Sequence, residues 1–282
     1  MTKWLADLDA FLDKNSDRLI ALVTSGGTRV PLEKNTVRFI DNFSMGTRGS
    51  ASTEYLLEKD YAVIFFHRED SLKPFCRHFP QLFDHLSVGD DGEVKVAGYE
   101  KLAVMLKKKE EASGRLFSIP FVDLHQYLHD LELICSRLNP IGPRALIYLA
   151  AAVSDFYICH EKLPTHKIQS REGDLQLTLT IVPKTLHRLV NSVVPNALVV
   201  SFKLETDDAL LIRKAKSAIE NYGHQLVIGN LLTTRKHKVV FVTTDTITPM
   251  ELTDEQISAG VEIEVLIIEQ LQNRHRAFIK SE

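Results

Sequence analysis

Five short runs of almost wholly apolar residues recur along the chain: Leu19–Val23, Tyr61–Phe66, Ala145–Leu149, Leu198–Phe202 and Leu226–Ile228. None alternates apolar with polar side chains, and none is long enough for a core helix. Each reads as a strand covered on both faces, the kind that parallel sheets use. The stretches between them carry apolar residues at helical spacing. Trp4, Leu5, Leu8, Phe11 and Leu12 place a helix over 3–14. Leu124, Tyr127, Leu128, Leu131 and Ile134 place another over Val122–Leu138, which the run Asn139-Pro140-Ile141-Gly142-Pro143 stops. Helices are also expected over Ser50–Glu58, Tyr99–Glu111, Leu186–Val193, Ala209–Asn221 and Glu255–Leu271. Buried strands alternating with helices predict an α/β fold, a doubly wound, mainly parallel, Rossmann-like sheet.

Two segments do not fit a parallel core. Leu175, Leu177, Leu179 and Ile181 alternate with Gln176, Thr178 and Thr180, and Val239–Thr243 runs into polar residues. The first reads as a half-exposed strand and the second as a strand with a polar continuation. They predict a small antiparallel flap or arm, drawn from about 158–183 and 238–252, on a single domain covering 1–282. Residues 68–96, with Pro74, Pro80, Gly89 and Gly92, read as an irregular excursion.

Composition excludes several function classes. A net charge of -3 argues against a dedicated nucleic-acid binder. The run Lys107-Lys108-Lys109 is followed by Glu110-Glu111 and reads as a solvated helix face. Cys76, Cys135 and Cys159 show no paired spacing, which suits a reducing compartment and offers no zinc site. The acid-bearing N-terminus lacks the apolar core of a signal peptide, and no apolar stretch approaches membrane-spanning length. A cytoplasmic protein with no membrane partner is expected.

The stretch Val23–Gly49 carries the strongest chemical signal. The first strand ends in Thr24-Ser25-Gly26-Gly27-Thr28, where glycines let backbone amides approach an anion. A polar excursion follows, then Asp41-Asn42-Phe43-Ser44, then Gly46-Thr47-Arg48-Gly49 opening a helix. Strand, glycine turn and helix N-terminus make a phosphate site. The delay before the helix leaves room for a second substrate.

Open α/β sheets bind ligands beyond the carboxyl ends of their strands. Small or polar residues stand there four times: Ser25 to Thr28, Ala151 to Asp155, Lys203 with Glu205 and Thr206, and Gly229-Asn230. Taken singly, Gly26-Gly27 is also a tight turn, Gly46 and Gly49 also suit close helix packing, and Asp155 and Asn230 also suit caps. A dinucleotide oxidoreductase is the competing reading. Its fingerprint needs contiguous glycines and an acid after the second strand, whereas here the glycines are split and the strand ends in His67-Arg68. Arg68 would suit a 2′-phosphate, so an NADP-dependent oxidoreductase stays open as the alternative.

With SGGT, VRFIDNFSMGTRG, YLAAAVSDFY, HKIQS, VPK, SFKLETD and the asparagine after LVIG in this order, the chain resembles the phosphopantothenate–cysteine ligase family in its single-function eukaryotic form. The resemblance runs from about Leu19 to Phe278, and nothing is carried across 67–135. It implies an enzyme of coenzyme A biosynthesis that joins 4′-phosphopantothenate to L-cysteine. ATP or CTP, with Mg2+, would activate the carboxylate as an acyl-nucleotide and release pyrophosphate. It implies nucleotide contacts at Gly26, Ser44, Gly46, Gly49, Phe202 and Asn230. Asn42, Ala151, Ala152 and Asp155 would receive phosphopantothenate. Arg38 would reach the partner's site in a homodimer associated through the arm. Asn42 would orient the acyl-nucleotide, and Lys167 would neutralise charge as pyrophosphate leaves. Lys184 and Lys203 match family lysines, either touching the nucleotide or lying nearby. Arg38 could equally pair with Glu33 or Asp41. Lys167 could be a plain surface lysine.

Overall fold

The computed structural model describes residues 3–170, 173–183 and 185–281. Helix α1 (Leu5–Lys14) leads into β1 (Ile20–Ser25), the hairpin β2 (Arg29–Pro31) and β3 (Phe39–Asp41), α2 (Thr47–Glu58) and β4 (Ala62–Arg68). A small hairpin, β5 (Leu86–Val88) with β6 (Val94–Val96), precedes α3 (Leu102–Glu111), β7 (Leu116–Phe121), α4 (Leu124–Leu138) and β8 (Ala145–Leu149). Then come β9 (Phe156–Tyr157), β10 (Thr180–Ile181), α5 (Thr185–Arg188), β11 (Leu198–Glu205), α6 (Asp208–Tyr222) and β12 (Leu226–Leu231). The hairpin β13 (Lys238–Val242) and β14 (Ile247–Glu251), α7 (Asp254–Ser258) and α8 (Ile263–Ser281) complete the order.

The central sheet runs β14-β13-β12-β11-β8-β1-β4-β7. From β12 to β7 every pairing is parallel, and β13 and β14 add an antiparallel edge. All five expected strands lie in this sheet, and β1 and β4 are buried at every residue. One face packs Leu8 and Phe11 of α1 and Leu131 and Ile134 of α4 on Ile20, Leu22, Ile64 and Ile147. The other packs Leu56 and Leu57 of α2 and Ile267, Ile268 and Leu271 of α8 on Ala21, Val23, Phe65 and Ile228. Burying each such Leu or Ile contributes about 1.5–3 kcal/mol. The expected doubly wound α/β fold is present.

Several details differ from the sequence expectation. The polar excursion after β1 is the hairpin β2–β3. Strand β7, which contains Pro120, was not anticipated. It lies at the sheet edge, where a missing backbone N–H is tolerated. The helix expected over Glu255–Leu271 is broken into α7 and α8 at Gly260, whose φ is +71°. The expected arm is not one unit. Segment 238–251 is the edge hairpin of the central sheet, because Val240–Val242 find a buried partner in β12. In 174–182, among the described residues, only Thr180 and Ile181 pair, with Tyr157 and Phe156. No helix among the described residues is long and apolar enough to cross a membrane.

Candidate active site

The chain leaves β1 through β4 and β7 on one side, then returns to β8 on the other. The point of reversal, between β1 and β8, is where such a sheet opens a crevice at its carboxyl edge. Here SGGT and AAAVSD meet. Gly27 bridges Ala152, the Ala152 amide donates to the Gly26 carbonyl at 2.8 Å, and the Thr28 amide donates to the Ala152 carbonyl at 3.0 Å. Two threonine hydroxyls complete the seam: Thr24 Oγ1 accepts from the Ala151 amide at 3.0 Å, and Thr28 Oγ1 from the Ser154 amide at 2.9 Å. The hairpin β2–β3 then carries Asn42 back, its amide donating to the Thr28 carbonyl at 3.1 Å. A Cβ on Gly27 would lie 1.7 Å from the Asn42 carbonyl oxygen, so only glycine permits this return.

Helix α2 aims its N-terminus at the same edge. Gly46 caps it at φ +79°, with no side-chain cap and no acid in the first turn. The first amides of α2 therefore have neither an intrahelical partner nor a capping side chain. Ser44 Oγ accepts from the Gly46 amide at 3.3 Å, and Ser25 Oγ donates to the Gly46 carbonyl at 3.1 Å. Gly49 lies against Ser25, where a Cβ would meet the serine side chain at 2.5 Å. Gly26, Ser44, Gly46 and Gly49 are thus assembled around one strand end and one helix end. That arrangement can hold an anion.

The α2 face continues along β11 and β12. Alternation puts Phe202 and Asn230 on the same side as Val200 and Ile228, which pack toward α2 and α8. Phe202 meets Tyr148 edge to face at 5.0 Å, and the Tyr148 hydroxyl pairs with Ser52 Oγ of α2 at 2.9 Å. Asn230 is buried, and its Oδ1 has no hydrogen-bond partner. Buried amides are nearly always paired, so this one marks a place for a ligand donor. Lys203 points to the opposite face and lies 3.8 Å from Glu205. Lys184 is outside the described residues.

Asp155 is exposed just beyond the seam, and its carbonyl accepts from the Val182 amide at 2.9 Å. Lys167 is exposed on the segment 158–170. That segment rests on the hairpin loop, where the Lys34 amide donates to the Pro164 carbonyl at 2.9 Å and the Asn35 amide to the Thr165 carbonyl at 3.1 Å. Arg38 is engaged within its own chain. Its Nη1 donates to Glu33 Oε1 at 2.9 Å, and both Nη atoms donate to the Ile168 carbonyl at 3.2 Å. Burial pushes the Glu33 carboxyl up, but amides of Arg38 and Val37 and the Arg38 charge outweigh it and hold it below the ordinary value.

Arg68 is not the free cation that a 2′-phosphate would need. It is buried, with Nη1 2.6 Å from Asp41 Oδ1 and Nε 2.8 Å from Asp70 Oδ1. Arg29 joins both acids, so two cations and two anions brace the glycine turn from behind. Sequence reasoning missed this cluster, because Asp41 and Asp70 meet only once the hairpin has folded. Thr24 and Thr28 stood in the strand-end run, but sequence reasoning gave their hydroxyls no part in tying the two strand ends together. Among the described residues, no three His, Cys, Asp or Glu side chains group as a metal site.

Fold and crevice define a doubly wound α/β protein whose site lies at the switch point of its sheet, between a glycine turn and a helix N-terminus. Residues 137–261 match the DNA/pantothenate metabolism flavoprotein C-terminal domain. Human phosphopantothenate–cysteine ligase is 44% identical over 273 residues, covering 93% of this chain and 88% of the human one. A Saccharomyces cerevisiae phosphopantothenate–cysteine ligase is 45% identical over 268 residues, covering 85% of this chain and 71% of the yeast one. A solved Cab2 mutant in complex with phosphopantothenate-cysteine superposes with a TM-score of 0.88 at 41% identity, over 98% of this chain and 93% of that one. The chain belongs to the phosphopantothenate–cysteine ligase family. Neither these relatives nor the buried Arg68 supports an oxidoreductase.

Proposed function

We propose that this chain joins 4′-phosphopantothenate to L-cysteine in coenzyme A biosynthesis, in the cytoplasm, at the expense of ATP or CTP. The observation that carries the reading is the seam of SGGT and AAAVSD beside the open N-terminus of α2, in a chain 44% identical to the human ligase. A carboxylate is a poor electrophile. Its oxygen attacks the α-phosphorus of the triphosphate, and pyrophosphate leaves. The cysteine amine then attacks the acyl carbon, nucleoside monophosphate departs, and the amine proton passes to solvent.

The residues divide this work. Amides at Gly26, Gly46 and Gly49, with Ser44, hold phosphate oxygens at the positive end of α2. Phe202 and Asn230 line the nucleoside end. Ala151 and Ala152 let phosphopantothenate lie against backbone, with Asn42 and Asp155 beside it. Asn42 offers an amide donor and acceptor to orient the acyl-nucleotide. Lys167 meets the negative charge that develops as pyrophosphate leaves. Mg2+ would supply further charge neutralisation. The ion would be held mainly by the triphosphate oxygens, with few protein ligands.

We assign the exposed strip of Leu175, Leu177, Leu179 and Ile181 to a homodimer contact. In that dimer Arg38 would give up the Ile168 carbonyl and serve the neighbouring site. The test of the function is pyrophosphate release with ATP and with CTP, each with and without phosphopantothenate and cysteine. Release that requires phosphopantothenate is the expected result. Release indifferent to it, or none, would remove the reading.

A further inference from the structure

Arg48 stands in the first turn of α2, where the helix dipole disfavours a cation. Its side chain is 15% exposed and forks between two elements from the far end of the chain. Nη1 donates to Glu264 Oε1 at 2.8 Å, and Nη2 donates to the Arg235 carbonyl at 2.5 Å. Glu264, in the first turn of α8, is buried. Arg235 sits midway along the exposed loop 232–237 that follows β12 and Asn230. The loop is tied at its ends, Leu232 N donating to Glu205 O and Leu252 N donating to His237 O, both at 2.9 Å. Among the described residues, the Arg48 fork is the one hydrogen bond from its middle to α2. One turn along the same helix, Ser52 fixes Tyr148, against which Phe202 packs. The open amides and the Phe202–Asn230 end of the groove are therefore referenced to a single helix.

We propose that Arg48, held by Glu264, is a positioning residue that latches loop 232–237 to α2 and so sets the spacing between the triphosphate and nucleoside ends of the groove. The inference rests on the nucleotide reading given above. Its geometry requires arginine. A planar guanidinium reaches a carboxylate and a carbonyl at once, whereas a lysine ammonium on one stem does not span both. The charge itself is spent on Glu264, so the fork, and not the field, is what the groove uses.

The test is steady-state kinetics on the full chain, varying triphosphate and phosphopantothenate in turn, for wild type, Arg48→Lys, Arg48→Met, Glu264→Leu and the Arg48→Met/Glu264→Leu double variant. Thermal unfolding of each accompanies it. In every variant KM for the triphosphate should rise about tenfold, while KM for phosphopantothenate stays within about twofold; the double variant should be no worse than either single change. A rise in the Arg48 variants with Glu264→Leu silent overturns the latch in favour of a direct phosphate contact. Arg48→Lys behaving as wild type overturns it in favour of charge alone. Lower melting temperatures with both KM values unchanged, or both raised alike, overturn it in favour of plain packing. A wild type whose turnover ignores every triphosphate overturns the nucleotide reading itself, and the latch with it, before any variant is compared.

Discussion

The seam at the switch point and the segment 156–181 beside it bound the same crevice but are built in opposite ways. In the seam, the amides of Thr28, Asn42, Ala151, Ala152 and Ser154 are all hydrogen-bonded across elements, and two threonine hydroxyls lock the edges. Among its described residues the neighbouring segment has two two-residue strands, an exposed Lys167 and leucines that face solvent. The contrast teaches where preorganisation is worth its cost. Backbone dipoles aimed at phosphate act only if they do not reorganise. On the function proposed above, a segment that admits substrate or meets a second chain is better held by few bonds.

The comparison breaks most sharply at Gly27. Gly27→Ala puts a methyl into the Asn42 carbonyl, so about 3 kcal/mol or more of stability should be lost, with all activity. Denaturant unfolding and turnover read both, and a stable, active variant would refute the seam as described. Leu177→Asp addresses the other region. It should abolish activity while leaving the melting temperature near wild type, with a monomer by light scattering, and full activity in a proven monomer would sink the dimer reading. Lys167→Gln should slow formation of the acyl-nucleotide by about 100-fold in single-turnover experiments, without changing stability. An unchanged rate removes Lys167 from the mechanism.

Smaller effects sharpen the contrast. Asn230→Leu removes a buried unpaired acceptor, so stability should hold or rise by about 1 kcal/mol while KM for triphosphate rises about tenfold. A loss of stability would mean that Asn230 is structural. Acid acts on the packed layers. Burial pushes His224 and His275 down to about 4 from an ordinary 6.5. A histidine depressed in the fold binds its proton more readily when unfolded. Its stabilisation is complete above 6.5 and lost as pH falls toward 4. Urea midpoints should drop across that window by less in His224→Gln than in wild type, and parallel slopes would contradict the assignment.

Much of the fold was legible because parallel strands buried on both faces announce themselves as apolar runs. Placing the crevice followed from the strand-end rule, which brought Gly26, Ala151, Ala152 and Asn230 to one edge. What escaped was short or dependent on partners. Strands β2 and β3 have three residues each and no periodicity to read. Strand β7 went unread, and its Pro120 is tolerated because the strand lies at the sheet edge. Alternation in 174–182 promised a strand, but a strand needs a partner, and among the described residues only two find one. Val239–Val242, read as part of the same arm because polar residues follow it, joined the central sheet instead. Pattern gives the faces of a strand, not its neighbour. Arg68 looked available because sequence shows a cation without the acids that fold against it.

The order of the sheet also dictates a schedule. Ile20 of β1 pairs with Ala145 of β8, about 125 residues downstream. At roughly 5–20 residues per second, a ribosome needs on the order of 10 s to deliver that partner. Throughout that interval β1 can pair only on its β4 side, and the carbonyl of Gly26 waits for the amide of Ala152. The newborn chain therefore carries a glycine turn with one open flank until the β8 strand emerges. The seam cannot close before β8 is delivered, and any pause in translation between α4 and β8 would prolong the exposure of one flank of β1.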